Sequence, residues 1–210
     1  MKKTLVLAML LSILGGCAII REPAPSQPGV SNAAAWQARQ NTLDRFSSWS
    51  LQGRVATGQL LGWTGNLSWR EREPRFDVRL AGPLGAGGMR AHGTLAQVTI
   101  DTDDGKHFVT TDPDRLVERT LGWSFPLEPL NYWAKGVPAP GGFDSISVDD
   151  RGRLRSLKQA GWTVSYLDYA HPDNAPTALP RRVVLDNGET RIRLVVDRWF
   201  DLDTSADISR

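Results

Sequence analysis

Residues 181–199 read RRVVLDNGETRIRLVVDRW, and this stretch decides the fold. Asn187-Gly188 stands between two β-rich runs, Arg181–Leu185 and Arg191–Trp199. Asn-Gly accepts the positive backbone angles of a tight hairpin turn, so the pair predicts two antiparallel strands. In the second run Ile192, Leu194 and Val196 alternate with Arg191, Arg193 and Val195. A period of two gives a strand one apolar side and one wet side, as in an antiparallel sheet covered on a single face.

The same period recurs upstream. Trp49, Leu51, Gly53 and Val55 alternate with Ser50, Gln52, Arg54 and Ala56. Within Gly62–Arg70, Trp63, Gly65, Leu67 and Trp69 share a side, and within Arg75–Leu80 so do Phe76, Val78 and Leu80. Three such runs with short joins predict a meander. Further strands are expected at Met89–Leu95, Val98–Asp101, Lys106–Thr110, Phe143–Val148, Leu154–Gln159 and Trp162–Tyr169. Asn32 is placed to cap a helix running to Phe46 or Ser47, with Trp36, Leu43 and Phe46 on its apolar side. Asp112-Pro113 opens a second helix that carries Leu116, Val117 and Leu121 to Gly122. A third, Leu127–Lys135, places Leu127, Leu130 and Trp133 together and stops at Gly136. The expected fold is mainly β with short helices: about eleven strands in one curled antiparallel sheet, an incomplete barrel with a helical lid.

The N-terminus has a different character. Lys2 and Lys3 precede an apolar run from Thr4 to Leu14, shorter than the roughly 20 residues that span a bilayer. Leu14-Gly15-Gly16-Cys17 then resembles the bacterial lipobox, in which the Cys receives a diacylglycerol and becomes the first residue after cleavage. Cys17 is the only cysteine. Residues 1–16 are thus expected to be a signal peptide and Cys17 the lipidation site, where two acyl chains suffice for stable anchoring. Residues 17–35 form a tether rich in Pro, Ser, Ala and Gly, residues 36–200 the folded domain, and residues 201–210 a polar tail. In Gram-negative lipoproteins an Asp after the Cys signals inner-membrane retention; Ala18 instead implies the outer membrane, facing the periplasm.

The full chain has 25 Lys+Arg against 23 Asp+Glu. Removing Lys2 and Lys3 leaves 23 against 23, so the balance gives no case for nucleic acid. Catalytic and metal-binding patterns are missing. There is no Gly-x-Ser-x-Gly elbow, and His92, His107 and His171 lack metal-ligand spacing. Asp103-Asp104 and Asp149-Asp150 each precede a nearby Gly and read as turns. The glycines at 82–88 precede a strand and lack the Gly-Lys-Ser/Thr of a phosphate loop, so no nucleotide or other cofactor is expected.

Two features remain. The amphipathic strands form either a packed core or an incompletely filled hollow for a lipid. Leu84 is a lone large residue within Ala81-Gly82-Pro83-Leu84-Gly85-Ala86-Gly87-Gly88. It either folds back onto the sheet or probes a bilayer, gaining ~1.5–3 kcal/mol on leaving water.

The lipobox, the Trp36 helix, LQGRVA at 51–56, LAGPLG at 80–85 and LPRRVVLDNGETRIRLVVDRW at 179–199 together resemble the LolB family of outer-membrane lipoprotein receptors. The resemblance implies a half-barrel under a helical lid, formed by residues 113–121 and 127–135, with a cavity for acyl chains. It implies the soluble periplasmic carrier LolA as partner and lipoprotein acyl chains as cargo. It also implies that Leu84 is the protruding-loop leucine that promotes release into the membrane. By strand parity the cavity candidates are Leu67, Trp69, Phe76, Val78, Leu80, Leu116, Leu130, Trp133, Leu194 and Val196. A monomer is expected. A structural envelope lipoprotein with a packed sheet, or a lipid hydrolase with an unrecognised nucleophile, are the alternatives.

Overall fold

The structure, a computed structural model, describes residues 32–58, 62–83 and 87–204. The expected signal peptide, Cys17 and Leu84 lie outside the described residues.

Helix α1 (Ala33–Leu43) begins at Asn32, whose Oδ1 accepts a hydrogen bond from the Ala35 amide at 3.0 Å. It ends two residues before the next element, earlier than the sequence suggests. Phe46 is not on its apolar side; it is the first residue of strand β1 (Phe46–Thr57). The reason is that Phe46 pairs with Thr204 in the sheet, so its backbone groups are satisfied by a ladder rather than by a helix. The buried residues of α1 are Trp36, Arg39 and Leu43.

Strands β2 (Thr64–Arg72), β3 (Arg75–Ala81), β4 (Met89–Thr94), β5 (Gln97–Thr102) and β6 (His107–Thr110) continue the first meander. A crossover carries α2 (Pro113–Leu121) and α3 (Leu127–Trp133). Strands β7 (Ser145–Val148), β8 (Leu154–Gln159), β9 (Trp162–Ala170), β10 (Leu179–Asp186) and β11 (Arg191–Thr204) form the second meander. All eleven belong to one antiparallel sheet in the order β6-β5-β4-β3-β2-β1-β11-β10-β9-β8-β7. The seam is β1 against β11, the first strand against the last. The edges β6 and β7 are not paired with each other, so the sheet stays open, and the helical crossover runs from one edge strand to the other.

The alternation read from sequence holds across the seam. Trp49, Leu51 and Val55 of β1, Leu67 and Trp69 of β2, Phe76, Val78 and Leu80 of β3, and Ile192, Leu194 and Val196 of β11 are all buried on the inner face. The Asn187 side chain accepts from the amides of Glu189 and Thr190, which closes the hairpin.

The first residues of the expected polar tail, 201–204, are strand instead. They belong to β11 and pair with the beginning of β1. Asp201 adopts a positive φ of 52°, a conformation that Asp tolerates, within an irregular stretch of the ladder. Ser50 and Ser48 donate to the Asp201 and Asp203 carboxylates at 3.1 and 2.9 Å. Leu202 packs against the core. Two acidic residues are thus held by hydroxyl partners about 150 positions away in sequence, beyond the reach of a local pattern.

Candidate functional site: the inner face and its lid

The inner face of the sheet is the apolar surface that the crossover covers. All ten cavity candidates fall within one buried cluster, from Trp133 at 0% exposure to Leu116 at 8%. Three tryptophans line the seam. Trp49 lies 5.4 Å from Trp69 and 5.5 Å from Trp199, centroid to centroid, on three adjacent strands. A second aromatic group, Trp63, Trp123 and Phe125, gathers where the crossover passes from α2 to α3. The gap between Phe46, Trp49, Lys135, Leu179, Trp199 and Leu202 is too narrow for a water molecule. With the lid in this position, side chains occupy the inner face. A larger groove, about 710 Å³, opens at one mouth between Gly87-Gly88, Phe108, Lys106, and Leu116 and Arg119 of α2.

The two helices of the lid are held differently. Trp133 of α3 donates its indole N–H to Gln159 at 2.8 Å, and Tyr166 donates its hydroxyl to the Trp133 carbonyl at 2.9 Å. Arg39 of α1 donates to the Lys135 carbonyl at 3.4 Å and also holds Thr177 and Ala178. Helix α2 buries Leu116 and Val117, and its Asp114 accepts from the Leu127 amide at 2.9 Å at the start of α3. Gly122, at φ 75°, caps α2 in the left-handed region that favours glycine. Polar bonds therefore rivet α3 to the sheet and α1, while apolar burial and a link to α3 hold α2.

The sequence reading missed the charges under the lid. Glu71, Lys135, Arg39, Asn131 and Gln159 are all buried. Parity alone would have found Glu71, which follows Leu67 and Trp69 at the same spacing on β2. Glu71 accepts from the Trp69 indole at 3.1 Å and faces Asn131 of α3 and Lys135 just beyond its end. Burial pushes its carboxyl from 4.5 up to about 7, although the Trp69 hydrogen bond favours the ionised form. Burial likewise raises Asp114 to about 6 and drives the Lys135 ammonium below its ordinary value.

These shifts carry a sign. A carboxyl whose folded pKa exceeds its unfolded value binds more protons when folded. Its contribution is complete below about pH 4.5 and is lost as pH rises through about 7. We expect Glu71 to cost on the order of 2–3 kcal/mol across that window. Glu71→Gln keeps an acceptor for Trp69 and removes the titration, so urea unfolding should show a flatter stability profile and a more stable variant at alkaline pH. Parallel profiles for the two proteins would place the carboxylate in water.

The acid pairs serve as turns and clamps. Asp149 accepts from the amides of Arg151 and Arg153 within its own turn. Asp103 accepts from the Gly88 amide at 2.7 Å and donates its own amide to the Gly88 carbonyl at 3.2 Å, which fixes one end of the 82–88 segment. The structure brings His92 and His107 to one carboxylate, Asp101, at 3.6 and 2.7 Å, through strand pairing that spacing does not reveal. They sit on the outer face, and among the described residues no group of three potential metal ligands forms. No helix of the described residues is long and apolar enough to cross a membrane.

A family model described as "Outer membrane lipoprotein LolB" matches residues 47–199, from β1 to Trp199 of β11. The chain belongs to the LolB family. Proteins called outer-membrane lipoprotein LolB are similar over nearly their whole length. The one from Nitrosococcus oceani is 37% identical over 92% of this chain and 95% of its own. That of Chromohalobacter salexigens is 35% identical over 91% and 87%, and that of Stutzerimonas stutzeri 35% over 94% and 95%. Among solved structures, the LolA superfamily protein NE2245 from Nitrosomonas europaea aligns with a TM-score of 0.44 at 9% identity, covering 83% of this chain and 97% of that one. That likeness is too distant to carry weight here.

Proposed function

We propose that this LolB-family chain is an outer-membrane lipoprotein, anchored through Cys17, that receives lipoproteins from a soluble LolA-like carrier and passes them into the outer membrane. The observation that carries the proposal is an open apolar sheet face under a lid whose two helices are unequally held. Acyl chains enter at the 710 Å³ groove and displace α2, lifting its Leu116 and Val117 from the inner face, while α3 stays riveted. Each CH₂ shielded from water is worth ~0.8 kcal/mol, so transfer runs downhill without a nucleotide if the receptor binds better than the carrier and the bilayer better still. The ten inner-face candidates contact the cargo, and the chain acts as a monomer with no catalytic role.

The test uses carrier loaded with a lipoprotein and mixed with purified chain. Mass spectrometry of the recovered chain should find the lipoprotein on it. Cargo that stays wholly on the carrier rejects the proposal. The filled inner face favours one second reading, a scaffold with a permanently packed sheet. An apolar fluorescent probe that finds no binding space under any cargo-loading condition would support that scaffold instead.

A further inference from the structure

The outer face of the sheet carries a second surface, separate from the lid. A trough of about 690 Å³ crosses β11, β1, β2 and β3. It is lined by Ala56, Ala81 and Val195, with Arg54 and Arg193 beside them. One wall is Gly82-Pro83, the described stem of the segment that leads to Leu84.

Charge singles this surface out. Arg54 makes a two-pronged pair with Asp197, at 3.1 and 2.8 Å. Arg193 has no ion-pair partner among the described residues. Arg182 pairs across the ladder with Val195 and shares the single carboxylate of Asp168 with Arg181. On β3 Arg79 stands directly opposite Arg90 of β4, and Arg90 is already bound to Asp77. Like charges placed opposite one another destabilise a sheet. The excess on this face is positive although the mature chain balances its charges overall.

We propose that the trough binds the phosphate-bearing headgroups of anionic phospholipids, and so sets the face that the domain turns toward the bilayer. The proposal rests on the reading that the chain works at a membrane through Leu84. The polar zone of one leaflet is only ~5–7 Å deep, from the difference between whole and hydrocarbon thickness. A residue seated at its inner boundary leaves its neighbours at headgroup depth, since each residue spans at most ~3.6 Å. Gly82 and Pro83 are those neighbours, and the trough they wall presents arginines, which match phosphate through planar paired donors.

The experiment reconstitutes the full chain into vesicles of phosphatidylcholine, with or without phosphatidylglycerol. A nitroxide at Thr64→Cys, on the trough, reports immersion by its protection from a water-soluble relaxing agent. A nitroxide at Thr163→Cys, on the exposed side of β9, is the reference. Protection at 64 but not 163, in the anionic vesicles only, is the expected result. Arg54→Gln and Arg193→Gln should each lower the ratio of protected to unprotected label roughly fivefold, as ~1 kcal/mol per basic side chain predicts. Equal protection in neutral vesicles, or no response to either substitution, overturns the proposal. Lost uptake from loaded carrier with unchanged protection assigns the face to a protein partner and also overturns it. A wild-type chain that takes no cargo sinks the receptor reading, while the label still decides this one.

Discussion

Leu84→Glu should leave uptake from the carrier intact and slow deposition into vesicles roughly tenfold to a hundredfold. A buried leucine gains ~1.5–3 kcal/mol on leaving water, and each 1.4 kcal/mol is a factor of ten. Glu forfeits that gain and adds a carboxylate to a zone that penalises it. The residue lies outside the described part of the structure, but its two flanks do not. Asn66 pairs with Ala81 on one side, and Asp103 holds Gly88 on the other. Both flanks are tied to the sheet, so the substitution should not disturb the inner face. A time course of lipoprotein transfer, with the carrier-bound, receptor-bound and vesicle-bound fractions separated, checks it. Unchanged deposition would remove Leu84 from the mechanism, and a parallel loss of uptake would give it a role in receiving cargo.

The second large effect concerns stability. Trp133→Ala is expected to lower the unfolding free energy by about 3–5 kcal/mol, measured by denaturant midpoint at constant slope. Trp133 is fully buried and makes three kinds of contact at once. Its ring fills the space between α3 and the sheet, its N–H satisfies Gln159, and its carbonyl accepts from Tyr166. Truncation leaves a cavity and strips one donor from the buried Gln159, which still binds the loop through Ala139. Leu116→Ala on the loosely held α2 should cost less, since the apolar contact alone is lost. Equal costs at the two positions would mean that α2 and α3 are held equally firmly and the lid moves as a unit.

Much of the fold was legible because a strand has a fixed period. Once Ile192, Leu194 and Val196 were assigned to one side, and Leu67 and Trp69 to one side of their own run, no partner needed to be known. Each of those residues is buried as its parity requires. The Asn-Gly turn likewise depends on backbone preferences that two residues carry by themselves. Family membership was legible for a related reason: short motifs kept their order along most of the chain.

The lid's polar anchorage was not legible. Nothing local in β2 marks Glu71 as buried rather than solvated, apart from its spacing. What buries it is α3, some 60 positions later. Arg39 is a charged residue between Trp36 and Leu43, yet it is buried and holds chain segments 96 and 139 residues away. The end of α1 and the length of β11 were misjudged together, because each depends on the pairing of Phe46 with Thr204.

The sequence by itself determined which side of each strand is apolar, where the hairpin turns, and the order of elements, since these follow from backbone geometry and nearest neighbours. Only the tertiary structure decided which charges are sealed beneath the lid, that α3 is fixed more firmly than α2, and that arginines from separate strands share one outer face. Those outcomes depend on groups distant along the chain meeting across the seam and the crossover, where burial and pairing act on space rather than on sequence.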